Sequence, residues 1–167
     1  MLSILDVIES TTVDGPGFRT AVYAAGCPHH CRGCHNPGSW DIRKGQWLTI
    51  DSLFKSIMAD EFANVTFSGG DPLFQPFGFT RLARRIKTHS TKTIWCYTGY
   101  RWEDILRNPE QASLLPWIDV LVDGRFKEEE RSLSLIFRGS RNQQIIDVKA
   151  SLHTGRVVAY DYKPLFV

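Results

Sequence analysis

Residues 18–34 read FRTAVYAAGCPHHCRGC. The first half, Phe18 to Ala25, is apolar and β-prone, the pattern of a buried strand. Directly after it, Cys27, Cys31 and Cys34 fall within eight residues, spaced C-x3-C-x2-C. Thiolates are soft ligands that suit zinc or iron–sulfur clusters. Three at this spacing can surround one metal centre from a single loop. The stretch therefore predicts a strand whose C-terminal end opens into a metal-binding loop.

The chain on either side supplies the frame. Ile4 to Ile8 reads as a first strand or an edge, and Val13-Asp14-Gly15-Pro16-Gly17 as a turn. Asn36-Pro37-Gly38 breaks the chain again, and Trp40 to Trp47 reads as irregular. Leu53, Phe54, Ile57, Met58 and Phe62 recur at helical spacing, so Ile50 to Phe62 is predicted helical, capped by Thr49 or Asp51. Asn64 to Phe67 is a short strand that ends in Ser68-Gly69-Gly70-Asp71-Pro72. Phe79 to Ile86 is amphipathic, with Arg81, Arg84, Arg85 and Lys87 as its solvated face. Thr93 to Thr98 and Ile118 to Val122 read as strands, Trp102 to Arg107 as a helix and Glu110 to Leu115 as a further helical turn. Lys127 to Arg131 reads as exposed or a short helix. Leu133 to Phe137, Gln144 to Val148 and Val157 to Tyr160 are short strand candidates.

Strands alternating with helices predict an α/β fold. The expected architecture is an open partial (βα) barrel of about five or six mainly parallel strands, too few for a closed eight-stranded barrel. Residues 1–167 form a single domain in this reading, with the tail 149–167 unplaced. Chemistry in such sheets gathers beyond the C-terminal strand ends. The cysteine loop and the Gly69-Gly70-Asp71 turn both follow strands at that end, so two independent motifs converge on one mouth.

Composition narrows the function. Hydrophobic residues make up 43% of the 167, enough for a real core, and the net charge is +2 with acids and bases interleaved. A dedicated nucleic-acid binder would show a concentrated basic stripe. The first residues carry no basic segment before an acid, Asp6, and no apolar run approaches the roughly 20 residues of a spanning helix. A soluble, cytoplasmic protein is expected. Three of the four cysteines are clustered, which favours metal binding over a disulfide framework. Cys96, alone in Thr93 to Thr98, reads as a small buried hydrophobe.

Zinc would use Cys27, Cys31 and Cys34 with His29, His30 or His35. Structural zinc usually pairs two ligand hairpins far apart in sequence, whereas these candidates all lie within nine residues. A cubane iron–sulfur cluster commonly takes four thiolates. Three cysteines leave one iron without a protein ligand, open to a small molecule. An electron carrier gains nothing from that opening, whereas an enzyme does.

The cysteine spacing, with Gly-Gly-acid after a later strand, resembles the radical S-adenosylmethionine superfamily. Asp14-Gly15-Pro16-Gly17-Phe18-Arg19, Gly26-Cys27, Cys34-His35-Asn36-Pro37 and Ser39-Trp40 resemble its glycyl-radical-enzyme activases. Within that group, four further stretches are similar to the activating components of anaerobic (class III) ribonucleotide reductase. They are Ser68 to Leu73, Trp95 to Tyr100, Val120 to Phe126 and Phe137 to Gln143. The resemblance covers about residues 4–148.

It implies that Cys27, Cys31 and Cys34 ligate a four-iron four-sulfur cluster whose open iron is chelated by S-adenosylmethionine. Reductive cleavage would give a 5′-deoxyadenosyl radical, which takes a hydrogen atom from a glycine of the large reductase subunit. No catalytic side chain is implied beyond those that hold cluster and cofactor. Gly69, Gly70 and Asp71 would lie against the methionine moiety, with Asp71, in place of the commoner Glu, facing the ammonium. Gly33, Cys34 and His35 would border the adenine. Gly33 stands where many members carry an aromatic residue, and His35 is the candidate substitute. Tyr97, Thr98 and Asp123 line the ribose or target backbone, or only hold loops. Arg138, Arg141 and Asn142 are expected to touch the partner, and Arg19 to be structural. Electrons would come from a flavodoxin or ferredoxin. Neither nucleic acid nor membrane is an implied partner. The competing readings are an activase of another glycyl radical enzyme, a radical enzyme acting on a small molecule, a zinc-binding interaction module without catalysis, and a plain electron carrier.

Overall fold

Strand β1 (Leu2–Thr11) turns through the Val13–Gly17 bends into β2 (Arg19–Ala24), and the two pair antiparallel in a computed structural model that describes residues 1–162. Beyond the cysteine loop lie two short 3-10 turns, Pro37–Trp40 and Ile42–Lys44, and a short strand β3 (Gln46–Leu48) on the far edge of β1. The segment expected to be irregular therefore contains an edge strand.

Helix α1 (Ile50–Ala59) starts where Thr49 Oγ1 accepts the Ser52 N–H at 3.0 Å. It stops before Phe62 because the Asp60 carboxylate takes the N–H groups of Phe62 and Ala63 in a turn. Then follow β4 (Asn64–Gly69), α2 (Pro76–His89), β5 (Ile94–Tyr97), α3 (Trp102–Arg107), α4 (Pro109–Ala112) and β6 (Val120–Asp123). β7 (Gln144–Asp147) runs directly into α5 (Val148–Thr154), which occupies part of the tail left unplaced above. Residues 163–167 lie outside the described residues. Leu133 to Phe137 is not a strand; it belongs to an irregular loop.

Among the described residues the result is one mixed sheet of seven strands in the order β3-β1-β2-β4-β5-β6-β7 with five α-helices, and the sheet does not close. β2, β4, β5 and β6 run parallel, while β1, β3 and β7 join antiparallel. The expectation of mainly parallel strands thus holds only for the centre. β6 and β7 are linked by a loop without an α-helix, so no helical crossover returns the chain in the same direction.

The two faces of the sheet differ. Val22, Val65, Phe67, Ile94, Cys96, Leu121 and Ile146 point to one side, where they pack with Leu53, Ile57, Phe79, Leu82 and Ile86 of α1 and α2. Burying each large aliphatic or aromatic side chain contributes about 1.5–3 kcal/mol. Trp95, Val120, Val122 and Ile145 point to the other side with Tyr97, Phe137, Tyr160 and Tyr162. Above that second face, at the C-terminal ends of β2, β4, β5 and β6, the site is built.

Candidate active site

The cysteine loop leaves β2 through Gly26, whose φ of +92° suits glycine alone. Its base is pinned by Gly26 N–H to Ser39 O (2.8 Å) and Cys27 N–H to Trp40 O (3.1 Å). Cys27, Cys31 and Cys34 are all free and half-buried, and all three line one cavity of about 520 Å³. Gly69, Gly70, Thr98 and Gly99 line the same cavity from β4 and β5. The register sets Ala24 beside Gly69, which brings both loops to one level.

Burial pushes the Cys27 thiol up to about 11, against the pull of the His29 backbone N–H. Burial also raises Cys31, opposed by the backbone N–H of Phe126. In each case the backbone N–H favours the thiolate and burial opposes it, so a bound metal cation that displaces the proton is what would hold the charge there. Cys96 is fully buried within β5, burial pushes its thiol well above the ordinary range, and it does not line the cavity.

The Gly-Gly-Asp turn is packed tightly against β2 and the cysteine loop. A Cβ on Gly69 would strike the backbone of Ala24, and one on Gly70 would strike the carbonyl of Gly26. Glycine is required here because β4 and its turn press on β2 and on the base of the cysteine loop. The Gly70 N–H donates to Ala24 O (2.7 Å) and the Asp71 N–H to Gly26 O (2.8 Å). Asp71 is fully buried and does not line the cavity. Its carboxylate accepts from Leu73 N–H, Thr98 Oγ1 and Gly99 N–H, each at 2.9 Å, and from His29 Nε2 at 2.7 Å. These four donors hold the carboxylate in place behind the cavity wall.

The remaining wall comes from the loops after β6 and before β7. Gln143 Nε2 donates to Gly124 O, Gln143 Oε1 accepts from the N–H groups of Gly139 and Ser140, and Asn142 Nδ2 donates to Arg125 O. Arg138 donates to Gln143 O at 2.7 Å. The polar loop expected to meet a partner therefore braces the Gly124–Phe126 segment that faces Cys31. Arg138 lines the cavity, whereas Arg141 and Asn142 do not. His35 lines it too, with its ring 5.3 Å from that of Phe126. Gly33 does not line it, and its Cβ position is crowded by the Glu128 side chain, which also pairs with Arg32. Tyr97 and Thr98 line the cavity, and Asp123 lies outside it, holding the N–H groups of Trp102 and Gln144.

Sequence reasoning gave no role to Asp14, Tyr23, Phe126 and Phe137, which also line the cavity. Asp14 accepts from the Tyr23 hydroxyl at 2.8 Å and from Thr11 Oγ1 at 2.9 Å. Phe137 sits at a φ of +57°, a strained conformation for a bulky residue, wedged against Trp95 and Tyr162. Arg19 is structural, as expected: it is buried, lies 5.5 Å over the Trp95 ring, and bonds Thr66 Oγ1 and the carbonyls of Val65, Thr93 and Pro16.

The family described as a 4Fe-4S single cluster domain matches residues 13–146, the span from the Val13 turn into β7. The anaerobic ribonucleoside-triphosphate reductase-activating protein of Haemophilus influenzae is 34% identical over 159 residues, covering 86% of this chain and 97% of the relative. Those of Vibrio cholerae and Escherichia coli K12 are 38% and 35% identical, each over 80% of this chain and 90% of the relative. The chain belongs to this family of activating proteins. Membership makes an iron–sulfur cluster the resident centre, and the donor set fits it. Three free thiols share one cavity, two of them have backbone N–H groups that favour the thiolate, and the fourth cysteine is sealed in the core. Among the described residues, no helix is long and apolar enough to cross a membrane.

Proposed function

We propose that this chain is the activase of an anaerobic ribonucleoside-triphosphate reductase and works as a radical S-adenosylmethionine enzyme. The observation that carries the reading is the sharing of one cavity by the three loop cysteines and the Gly69–Gly70 turn. Cys27, Cys31 and Cys34 would ligate three irons of a four-iron four-sulfur cluster, and the remaining iron would be available to S-adenosylmethionine. When bound, cluster and S-adenosylmethionine supply one-electron cleavage of a sulfonium and hydrogen-atom removal from a partner glycine.

The chain's own residues bind, orient and exclude water. The Gly69–Gly70 backbone, with Thr98 and Gly99 opposite, borders the methionine moiety. Cys34 and His35 border the adenine, and the Phe126 ring beside His35 supplies the apolar wall that Gly33 does not. Asp71 acts behind the wall through hydrogen bonds. A cavity of about 520 Å³ falls within the usual range for cofactor sites, roughly 300–1,000 Å³.

The sheet acts as an open partial barrel, and its unclosed side admits a loop of the reductase. A flavodoxin or ferredoxin supplies the electron, in the cytoplasm. The test is to mix the reduced, reconstituted protein with the large reductase subunit and S-adenosylmethionine under anaerobic conditions. A glycyl-radical resonance that requires all three components supports the reading. Cofactor cleavage without any radical on the reductase would assign the chain to another partner.

A further inference from the structure

Asp71 grips the cysteine loop at two points. Its backbone N–H donates to Gly26 O at 2.8 Å, and its carboxylate accepts from His29 Nε2 at 2.7 Å. Gly26 and His29 flank Cys27, so the two bonds straddle the first cysteine. The His29 and Asp71 side chains are 3% and 0% exposed, which removes water as a competitor. In the tautomer with hydrogen on Nε2, the ring donates to the carboxylate oxygen.

Neither partner has room to move. The carboxylate is fixed by Thr98, Gly99 and Leu73. The His29 ring stands edge-on to Tyr100 with centroids 4.5 Å apart, and it fills the space that a Cβ on Gly99 would take. Cys27 Sγ, a His29 ring nitrogen and an Asp71 oxygen all lie within 4.8 Å of one another. The adjacent His30 instead stacks on Trp40, outside this arrangement.

We propose that His29 and Asp71 form a clamp that sets Cys27 Sγ against the Gly69–Gly70 turn. His29 is then a positioning residue for the cluster, neither a ligand nor a plain loop histidine. The inference rests on the cluster-bearing reading above and adds to it a role for Asp71. The acid acts on the first cysteine through His29, rather than on the cofactor's ammonium. The physical reason is that a loop with three metal ligands has soft dihedrals between them, and ligand position is held by the partners behind the ligands.

The test compares His29→Gln, which keeps an N–H donor near the Nε2 position, with His29→Met, which fills similar volume without one. Both variants and the wild type are reconstituted anaerobically, and iron loss to an added chelator is followed by absorbance. His29→Gln is expected to lose iron at about the wild-type rate and His29→Met roughly tenfold faster, the usual scale for loss of an outer-shell partner. Identical behaviour of the two variants overturns the clamp, whether both match the wild type, both lose iron faster or both fail to hold a cluster. A wild-type protein that assembles no iron–sulfur cluster would instead sink the functional reading, and the clamp with it.

Discussion

Strand β5 carries two different environments on alternate residues. Ile94 and Cys96 enter the helix-covered core among aliphatic neighbours, while Trp95 and Tyr97 enter the opposite face. The same alternation runs through β2, β4 and β6. On the helix side the requirement is volume: Leu, Ile, Val and Phe fill space between α1, α2 and the sheet. On the other side the requirement is geometry, since Arg19 answers four acceptors and Asp14 two donors. The cavity with its three thiols opens above this second face. One face is held by volume; the other, with the loops above it, is held by directed bonds.

The largest expected effect separates cysteines on the two sides. Cys27→Ala, Cys31→Ala or Cys34→Ala is expected to lose the cluster, measured as iron and sulfide per chain. Cys96→Ala should keep it and cost about 1–2 kcal/mol of stability in urea unfolding, as a small cavity in a packed core does. Loss of the cluster in a folded Cys96→Ala protein would break the comparison.

Next comes Gly70→Val. Its side chain would collide with the Gly26 and Ser39 carbonyls at the base of the cysteine loop. Reconstitution should therefore yield less iron as well as weaker cofactor binding. Full iron with weakened binding would return Gly70 to a pure ligand-contact role.

The smallest contrast is between two swaps to methionine. Arg19→Met strands buried acceptors and should cost about 3 kcal/mol. Leu82→Met, which conserves volume on the helix side, should cost about 1 kcal/mol. Equal costs in urea unfolding would show that both faces are held by volume alone.

Much of this was legible in the sequence, and the reasons differ by region. The cysteine loop at a strand end, the Gly-Gly-Asp turn at a neighbouring strand end and the helix Trp102–Arg107 all follow from local spacing. β3 was missed because it is a three-residue edge with Trp47 exposed, too short to show a period. α5 was missed because it buries only Val148 and Ser151, so it carries no apolar stripe. Leu133 to Phe137 has the composition of a strand, but Leu133 is exposed and the loop is held by polar bonds. The inward aim of Asp71 depends on His29, Thr98 and Gly99, far away in the chain, and no local pattern encodes it. Gln143 and Asn142 brace the loop facing Cys31 for the same long-range reason.

On the proposed function, a cluster held by three cysteines would keep one iron available to S-adenosylmethionine. Electron paramagnetic resonance of the reduced, anaerobically reconstituted protein, with and without S-adenosylmethionine, tests it most directly. The expected result is a reduced four-iron four-sulfur signal that changes when S-adenosylmethionine is added. A cluster signal indifferent to the cofactor, or zinc in place of any cluster, would contradict it.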